Sequence, residues 1–265
     1  MDNIALGRYL PLDSWMHKID PRFKIIGMII MLVAIFIPSG WIGYALLSLV
    51  VIGVLVISKI PFKFIITSFK PMLFMMLFLL VINIFVSKTG RLLLDLGFIK
   101  IYSDALSKTA YIGIRLVLMI VVTTILTTTT KPLDMTLGIE DLLKPLKRFG
   151  VPAHEIAMMI SIALRFIPTL IDETNRIMKA QSSRGVDFQE GSLKERIVGI
   201  LSLIVPLFVS AFQRAEDLAD AMEARGYSPG RTRTRYKQLE IKQHDYVFLS
   251  GCTIVLLAII VLGIL

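Results

Sequence analysis

The sequence contains few charged residues and a single cysteine. Asp, Glu, Lys and Arg make up 18% of its 265 residues, whereas soluble domains contain about 25%. Hydrophobic residues make up 55%, and the mean hydropathy is +0.74. Cys252 alone cannot form an internal disulfide, and the three histidines lie too far apart in sequence to suggest a metal site. This composition is typical of an integral membrane protein.

Motifs for nucleotide binding and metal-assisted hydrolysis are also missing. No Gly-Lys dipeptide occurs, so the chain has no phosphate-binding G-x-x-x-x-G-K-[ST] loop, and it has no H-E-x-x-H motif. We therefore predict no catalytic, cofactor-binding or metal-binding residues and no enzymatic activity. If ATP drives this protein, we expect partner subunits to bind the ATP.

Acidic residues are outnumbered by basic ones. The 29 Lys and Arg against 20 Asp and Glu give a net charge of +9. In a soluble protein this excess would suggest nucleic acid as a partner. In a polytopic membrane protein, Lys and Arg accumulate on the cytoplasmic side beside anionic lipid headgroups. We therefore expect the partner to be the lipid bilayer and not a nucleic acid.

Five apolar runs approach the length of about 20 residues that a transmembrane helix needs. Four of them form a predicted transmembrane domain over residues 1–130, and the fifth is a C-terminal transmembrane helix over residues 246–265. The predicted spans are Phe23–Ile37, Trp41–Ser58, Pro71–Val86, Ala105–Thr130 and Tyr246–Leu265.

The loops that follow the second and fourth spans are rich in Lys and Arg. The positive-inside rule then places the N-terminus in the cytoplasm and the C-terminus outside. Arg115 is the clearest ionisable residue inside a span. We expect it to pair with a backbone carbonyl or a lipid headgroup, because an unpaired charge in the bilayer is costly.

Residues 131–245 predict a cytoplasmic helical domain inserted before the last span. A short amphipathic element over Asp134–Phe149 precedes two long amphipathic helices, Ala153–Arg184 and Leu193–Arg225, and the pattern Ser192 to Glu195 predicts a capping box. Charged residues on one face make it costly for either helix to span the bilayer. The alternative is a short span over 197–212, interrupted at Pro206. The fold class is therefore all-α, with about five transmembrane helices.

Both long helices end in the same pattern, A-x-x-x-R-G, at Ala180–Gly185 and Ala221–Gly226. Capping explains a single copy, because Gly ends helices readily and Arg complements the helix dipole. Two copies place guanidinium groups at two projecting tips, where each can bind a carboxylate or carbonyl group of another protein. The pattern favours two similar contacts on partner proteins.

Three sequence blocks resemble one family. The blocks are the N-terminal stretch S-W-M-H-K-I-D-P-R-F-K over Ser14–Lys24, the R-F-I-P block over Arg165–Pro168, and the two Arg-Gly helix ends. Together they resemble EcfT, the transmembrane component of energy-coupling factor (ECF) transporters. The resemblance implies a non-catalytic coupling subunit of an ATP-driven vitamin or micronutrient importer in the bacterial plasma membrane. Its implied partners are two ABC-type ATPases (EcfA and EcfA′-like) and one membrane-embedded, substrate-binding S-component.

The resemblance also assigns site residues. The implied ATPase contacts are Ser183, Arg184, Gly185, Ala224, Arg225 and Gly226. The residues expected to face the S-component are Met158, Met159, Ile160, Ala163, Ile204 and Leu207. A further hypothesis is that adaptable Met side chains let one chain accept several S-components, with Met72, Met75, Met76, Met158 and Met159 as candidates. The alternative function is a self-sufficient secondary transporter, which would bind substrate without any ATPase.

Overall fold

The chain folds into two compact units, one of which is inserted into the other. The computed structural model describes residues 9–86, 89–95, 100–150, 152–188, 192–228 and 239–264. The first unit contains Met1–Ala153 and Leu239–Leu265, and the second contains His154–Gln238. The second unit is thus an insertion between the body of the first unit and its last helix.

The described part of the first unit is almost entirely helical. Its α-helices are α1 (Trp15–Lys18), α2 (Pro21–Phe36), α3 (Gly40–Ser58), α4 (Phe62–Val86), α5 (Ser103–Thr129), α6 (Pro132–Leu143) and α9 (Gln243–Ile264). A 3₁₀ segment, Lys144–Phe149, follows α6. Two short strands, β1 (Leu92–Asp95) and β2 (Lys100–Tyr102), pair antiparallel between α4 and α5. The sequence analysis did not predict this strand pair.

The core of the first unit lies among α2, α3, α5 and α9. Ile35, Leu47 and Ile259 are fully buried there, and Tyr44 is 2% exposed. α2 approaches α9 closely because Gly27 carries no side chain. A Cβ at this position would lie 2.5 Å from Cε1 of Phe248 and 3.4 Å from Sγ of Cys252. The close packing of these two helices therefore requires glycine at residue 27.

The second unit consists of α7 (Ala153–Ser183), which begins at the last residue of the first unit, and α8 (Leu193–Ala224). The predicted capping box is present at the start of α8, where Ser192 and Glu195 bond reciprocally. Glu173 in the middle of α7 pairs with Arg214 of α8 at 3.3 Å, while Gln181 near the end of α7 donates to the carbonyl of Ser202 at 3.4 Å. A later residue on α7 thus meets an earlier one on α8, so the two helices run antiparallel.

The predicted all-α membrane class is confirmed, but the long apolar helices are not the same five as the predicted spans. Among the described residues, five helices are long and apolar enough to cross a membrane: α3, α5, α7, α8 and α9. α7 and α8 qualify by length and composition only, so the assignment of 131–245 to the cytoplasm stays a prediction. α2 has 16 residues, about 24 Å at ~1.5 Å per residue, which is shorter than a hydrocarbon core of about 30 Å.

Two boundaries differ from those expected from the sequence. The helix that contains the third predicted span begins at Phe62, before Pro71, because the backbone stays helical across residue 71. Its apolar part, Met72–Val86, matches the predicted span. The Lys-rich loop predicted after α3 is accordingly reduced to residues 59–61. The short helix α6 packs on α2 in the first unit, so the compact division falls after Ala153 and not at residue 131. The predicted domain limits, as functional divisions, stay predictions.

The packing at Gly27 predicts that Gly27→Ala destabilises the chain. The added methyl would clash with Phe248, and overpacking of this kind costs about 1–3 kcal/mol. The matched control is Gly53→Ala on α3, where a Cβ would meet nothing within 4 Å and Ala should raise helix stability slightly. Unfolding temperatures in detergent measure both changes. Equal unfolding temperatures for the two variants would contradict the tight α2–α9 contact.

Candidate coupling site

The two Arg-Gly helix ends have the same backbone structure. At the end of α7, the N–H of Gly185 donates to the carbonyl of Ser182 at 3.0 Å, and that of Val186 donates to Gln181 at 3.1 Å. At the end of α8, the N–H of Gly226 donates to Glu223 at 2.8 Å, and that of Tyr227 donates to Met222 at 2.9 Å. These pairs of bonds define the Schellman motif, in which the residue after the helix adopts a left-handed conformation.

Capping explains the glycines of this pattern but not the arginines. Gly185 has φ +85° and Gly226 has φ +73°, conformations that favour glycine. Arg184 and Arg225 occupy the equivalent position at the helix end, and both are exposed. In the described ranges, no carboxylate forms an ion pair with either guanidinium. Ser183 bonds its hydroxyl back to the carbonyl of Lys179 at 3.0 Å, so it points along its own helix.

The two arginines lie at opposite ends of the helix pair. Gln181, near Arg184, contacts α8 at Ser202. Arg225 follows Ser202 by 23 residues, which is roughly 34 Å along α8 at ~1.5 Å per residue. One binding pocket on a partner cannot reach both guanidiniums across this distance. The expectation that each arginine contacts its own partner stays a prediction, and this separation is compatible with it.

An exposed apolar stripe runs along α7. It contains Met159, Ile160, Ala163 and Ile167, of which Met159 is 59% exposed. Met158 does not share this stripe, because at ~100° per residue it lies about 160° around the helix from Ile160. The predicted S-component residues on α7 therefore divide between two faces.

α8 carries a wider apolar face. Its exposed residues cover about half of the circumference: Ile197, Val198, Ile200, Leu201, Ile204, Val205, Phe208, Val209 and Phe212. Ile204 belongs to this face, while Leu207 lies at its edge and is half-buried. The opposite side contains the buried Gly199, on which residues 186–188 pack. The apolar faces of both helices are thus available to a partner or to lipid.

A single guanidinium in the first unit binds the chain on both sides of the inserted unit. Arg22 forms a two-pronged ion pair with Asp20, through Nε at 3.0 Å and Nη2 at 2.9 Å. Its Nη1 donates to Asp141 on α6 at 3.4 Å, and its Nη2 donates to the carbonyl of Leu239 at 3.3 Å. Asp141 precedes the insertion, and Leu239 is the first residue after it. Arg22 therefore connects two segments of the first unit that flank the second unit in sequence.

The N-terminal segment is attached to the end of α5. Leu10 donates its N–H to the carbonyl of Thr128 at 3.0 Å. The carbonyl of Leu10 accepts a bond from Nε2 of His17, whose Nδ1 accepts from the hydroxyl of Ser14 at 2.7 Å. Burial lowers the pKa of His17, so its ring is neutral at pH 7 and the proton is on Nε2. These contacts assign structural roles to residues that the sequence analysis singled out only by resemblance.

One short sequence match to a hydrolase motif lacks the structural setting of that motif. Gly226-Tyr-Ser228-Pro-Gly230 fits G-x-S-x-G. In hydrolases the serine of this pattern lies on a turn between a strand and a helix, whereas Ser228 here follows the long helix α8. Residues 229 and 230 lie outside the described ranges. Within those ranges, no group of three or more His, Cys, Asp or Glu side chains could hold a metal ion.

Comparison with known proteins gives consistent matches over almost the whole chain. The cobalt transport protein family, CbiQ, matches residues 13–236. The chain is 46% identical to the energy-coupling factor transporter transmembrane protein EcfT of Macrococcus caseolyticus over 262 residues, which cover 99% of this chain and 98% of that one. EcfT of Ruminiclostridium cellulolyticum is 47% identical over 260 residues, with coverage of 98% and 97%. EcfT of Bacillus subtilis is 46% identical over 239 residues, or 90% of each chain.

The chain belongs to the EcfT family. It is therefore a multi-pass membrane protein and the transmembrane component of an energy-coupling factor transporter, as the three sequence blocks indicated. The family match at 13–236 includes the N-terminal Ser14–Lys24 stretch and both Arg-Gly ends. In this EcfT-family chain, the glycine capping predicted at both Arg-Gly ends is confirmed, and the role of Arg22 is the feature that sequence reasoning missed. The signal for Arg22 was its place in the recognised stretch, but its distant partners, Asp141 and Leu239, could not be read from the sequence.

The Arg22 contacts predict that Arg22→Ala destabilises the first unit around the start of α2. Loss of this guanidinium removes the ion pair of Asp20, whose side chain is 2% exposed, and breaking such a largely buried pair costs about 3 kcal/mol. Asp141 keeps its ion pair with Lys144 at 2.6 Å. We expect a lower unfolding temperature in detergent and faster trypsin cleavage at Lys242. The control is Lys18→Ala, which removes an exposed ion pair with Asp13 worth at most about 1 kcal/mol. Similar cleavage rates in the two variants would refute the anchoring role.

Proposed function

We propose that this chain is the non-catalytic coupling and scaffold subunit of an ATP-driven ECF-type importer. In this role it transmits motion from two ABC-type ATPases, EcfA and EcfA′-like, to an S-component that binds a vitamin or another micronutrient. The observation that carries the proposal is that α7 and α8 each end in an exposed arginine with the same capping geometry. Because the helices are antiparallel, the two arginines lie at opposite ends of the helix pair. ATP is bound by the partner subunits, in line with the absence of a phosphate-binding loop.

The chemistry of the tips supports ATPase contacts. A guanidinium donates through a planar fork that suits carboxylates and clustered carbonyl groups on a protein surface. The rigid Schellman turn fixes the direction in which each arginine leaves its helix, so that little conformational entropy is lost on binding. Ser183 and Ala224 immediately precede the arginines, and Gly185 and Gly226 follow them. These six residues form the proposed contact sites for two ATPases.

The exposed apolar faces of α7 and α8 support contact with an S-component. An apolar face left uncovered in one chain is a common sign of a protein partner or of lipid. Met159, Ile160, Ala163 and Ile204 form the exposed part of the proposed S-component surface. Met158 and Leu207 are less exposed and would contribute less.

The location follows from the charge distribution. Lys and Arg are concentrated between α5 and α9, which supports a cytoplasmic position for this region in the bacterial plasma membrane. Under this proposal the N-terminus is cytoplasmic and the C-terminus is outside. Both Arg tips then face the compartment that contains ATP.

The proposal predicts that Arg184→Ala and Arg225→Ala each weaken ATPase binding. Truncating a charged group at a protein interface costs about 2 kcal/mol or more, which is about 30-fold in affinity. The double variant should retain no ATPase. Tagged chains purified from native membranes, with quantification of the ATPases that copurify, measure the effect.

An arginine in the body of α7 serves as the control for charge. Arg176→Ala removes an exposed arginine that precedes Arg184 by about 12 Å at ~1.5 Å per residue, and it should leave ATPase binding unchanged. Normal ATPase recovery and solute uptake with the double tip variant would overturn the proposal. Substrate binding and uptake by the isolated chain would instead favour the secondary transporter.

The Met hypothesis predicts a difference between two neighbouring residues. Met159→Ile should weaken complexes with some S-components more than others, because Ile cannot repack as Met does. Met158→Ile should have a smaller effect, because it lies on another side of α7. Coexpression with several S-components, followed by pull-down, tests this. A uniform loss across all S-components would contradict the hypothesis.

A further inference from the structure

Arg115 is a charged residue in the middle of α5, a helix of the first unit. It follows the first residue of α5 by 12 positions and precedes the last by 14. Its side chain is half-buried. A charge at such a position costs several kcal/mol unless it has a partner or reaches the membrane surface. The surroundings of Arg115 therefore have to supply either an anion or a route to water.

Among the described residues, Arg115 has one hydrogen-bond acceptor. Nε of Arg115 donates to the hydroxyl of Tyr44 at 2.8 Å, and this hydroxyl donates to the carbonyl of Ile35 at 3.0 Å. Tyr44 is thereby held between a backbone carbonyl at the end of α2 and the guanidinium. No described residue accepts a bond from Nη1 or Nη2, and no described carboxylate forms an ion pair with Arg115. The outer fork of the guanidinium, with four N–H groups, is left for a ligand.

Aromatic rings hold the guanidinium in place. Its Cζ lies 5.8 Å from the ring centroid of Phe36 and 5.6 Å from that of Tyr111. Tyr111 in turn packs edge-on against Tyr44 and Trp41, with centroids 4.6 Å and 6.0 Å away. Cation–π contacts of this kind orient the guanidinium but do not accept its N–H groups. The site is therefore a fixed cation with an open anion-binding fork.

Helix lengths place this site at one boundary of the membrane. At one end of the unit, Lys24 at the start of α2 donates to the carbonyl of Thr129 at the end of α5, at 2.9 Å. Arg115 precedes Thr129 by 14 residues, or about 21 Å at ~1.5 Å per residue. At this height α2 ends at Phe36 and α3 begins at Gly40. Arg115 thus lies where the short helices end. Its distance from Lys24 is less than the hydrocarbon thickness of about 30 Å, so a leaflet that reaches it has to thin locally.

The exposed aromatic residues beside Arg115 agree with this depth. Phe36 is 60% exposed and Trp41 is 53% exposed, and Trp is enriched at the headgroup level of membranes. Further toward its N-terminus, α5 contains Asp104, Ser107 and Lys108. These polar residues fit the aqueous side of the boundary better than the hydrocarbon core.

We propose that Arg115 binds the phosphate group of a phospholipid in the leaflet opposite Lys24. Nη1 and Nη2 donate to two phosphate oxygens in the bidentate arrangement that guanidinium groups form with phosphate. The acyl chains of the lipid lie along the exposed faces of Phe36 and Trp41. This contact draws the leaflet inward to the ends of α2 and α3, which matches the bilayer to a helix of only 16 residues. The inference is independent of the ATPases and the S-component.

Native mass spectrometry of the purified full chain tests this proposal. Delipidated wild type, Arg115→Gln and Arg115→Lys are titrated with phosphatidylglycerol in detergent. Wild type should hold one lipid about tenfold more tightly than Arg115→Gln, because the bidentate charge-assisted contact is lost. Arg115→Lys should lie between them, since it keeps the charge but not the fork. Lys108→Gln is the control, because it removes an exposed positive charge from the same helix, and it should bind like wild type.

Two further arms identify the ligand and guard against misfolding. Inorganic phosphate alone, at millimolar concentration, should not displace the lipid; efficient displacement would mean a site for a free anion and would overturn the lipid assignment. Tyr44→Phe keeps the cation and the ring but removes the acceptor of Nε, so it should weaken lipid binding while the chain stays folded. Equal lipid retention by wild type, Arg115→Gln and Tyr44→Phe would also overturn the proposal.

Discussion

The packing of the first unit depends on one buried carboxylate, which connects the start of α2 to the start of α9. Asp245, fully buried at the start of α9, accepts a hydrogen bond from the N–H of Asp20 at 2.8 Å and another from the N–H of Lys242 at 2.7 Å. A buried carboxylate without such donors would cost several kcal/mol. The contact fixes the start of α2 beside the start of α9, although 225 residues separate them in sequence. Once these starts are fixed, Gly27 lets the two helices pack along each other.

The same polar layer also includes the segments of the first unit on either side of the insertion. Asp20 caps α2 by accepting from the N–H of Arg22 at 2.8 Å, and Arg22 extends the network to Asp141 and Leu239. Two segments of the first unit that flank the insertion in sequence are therefore bound to the start of α2.

The arginines of this chain differ in how many of their N–H groups the protein itself binds. Arg22 is surrounded by acceptors and stabilises the fold. Arg184 and Arg225 are exposed at the ends of α7 and α8, where capping satisfies the backbone and leaves the side chains for other molecules. Arg115 is intermediate, with one protein acceptor, a set of aromatic neighbours and an open fork. The number of acceptors that the fold supplies thus separates a structural arginine from one whose N–H groups stay exposed.

The sequence by itself determined the membrane class, the helix-rich architecture, the family and both Arg-Gly ends. These follow from local features: apolar runs, 3.6-residue periodicity, and a repeated capping pattern that each helix forms from its own backbone. The capping box at Ser192 and Glu195 was predictable for the same reason. Apolar length alone predicted helix limits less well. α2 has only 16 residues, and α4 begins before the predicted start at Pro71 because its helix continues through this proline.

Only the tertiary structure decided which distant residues meet. The antiparallel arrangement of α7 and α8, which separates Arg184 from Arg225, is shown by the contacts of Glu173 with Arg214 and of Gln181 with Ser202. The partners of Arg22 and Arg115 come from helices far away in sequence. Periodicity gives the faces of a helix but not the neighbour of each face, because that choice is made by packing and by the pairing of buried charges across the whole chain.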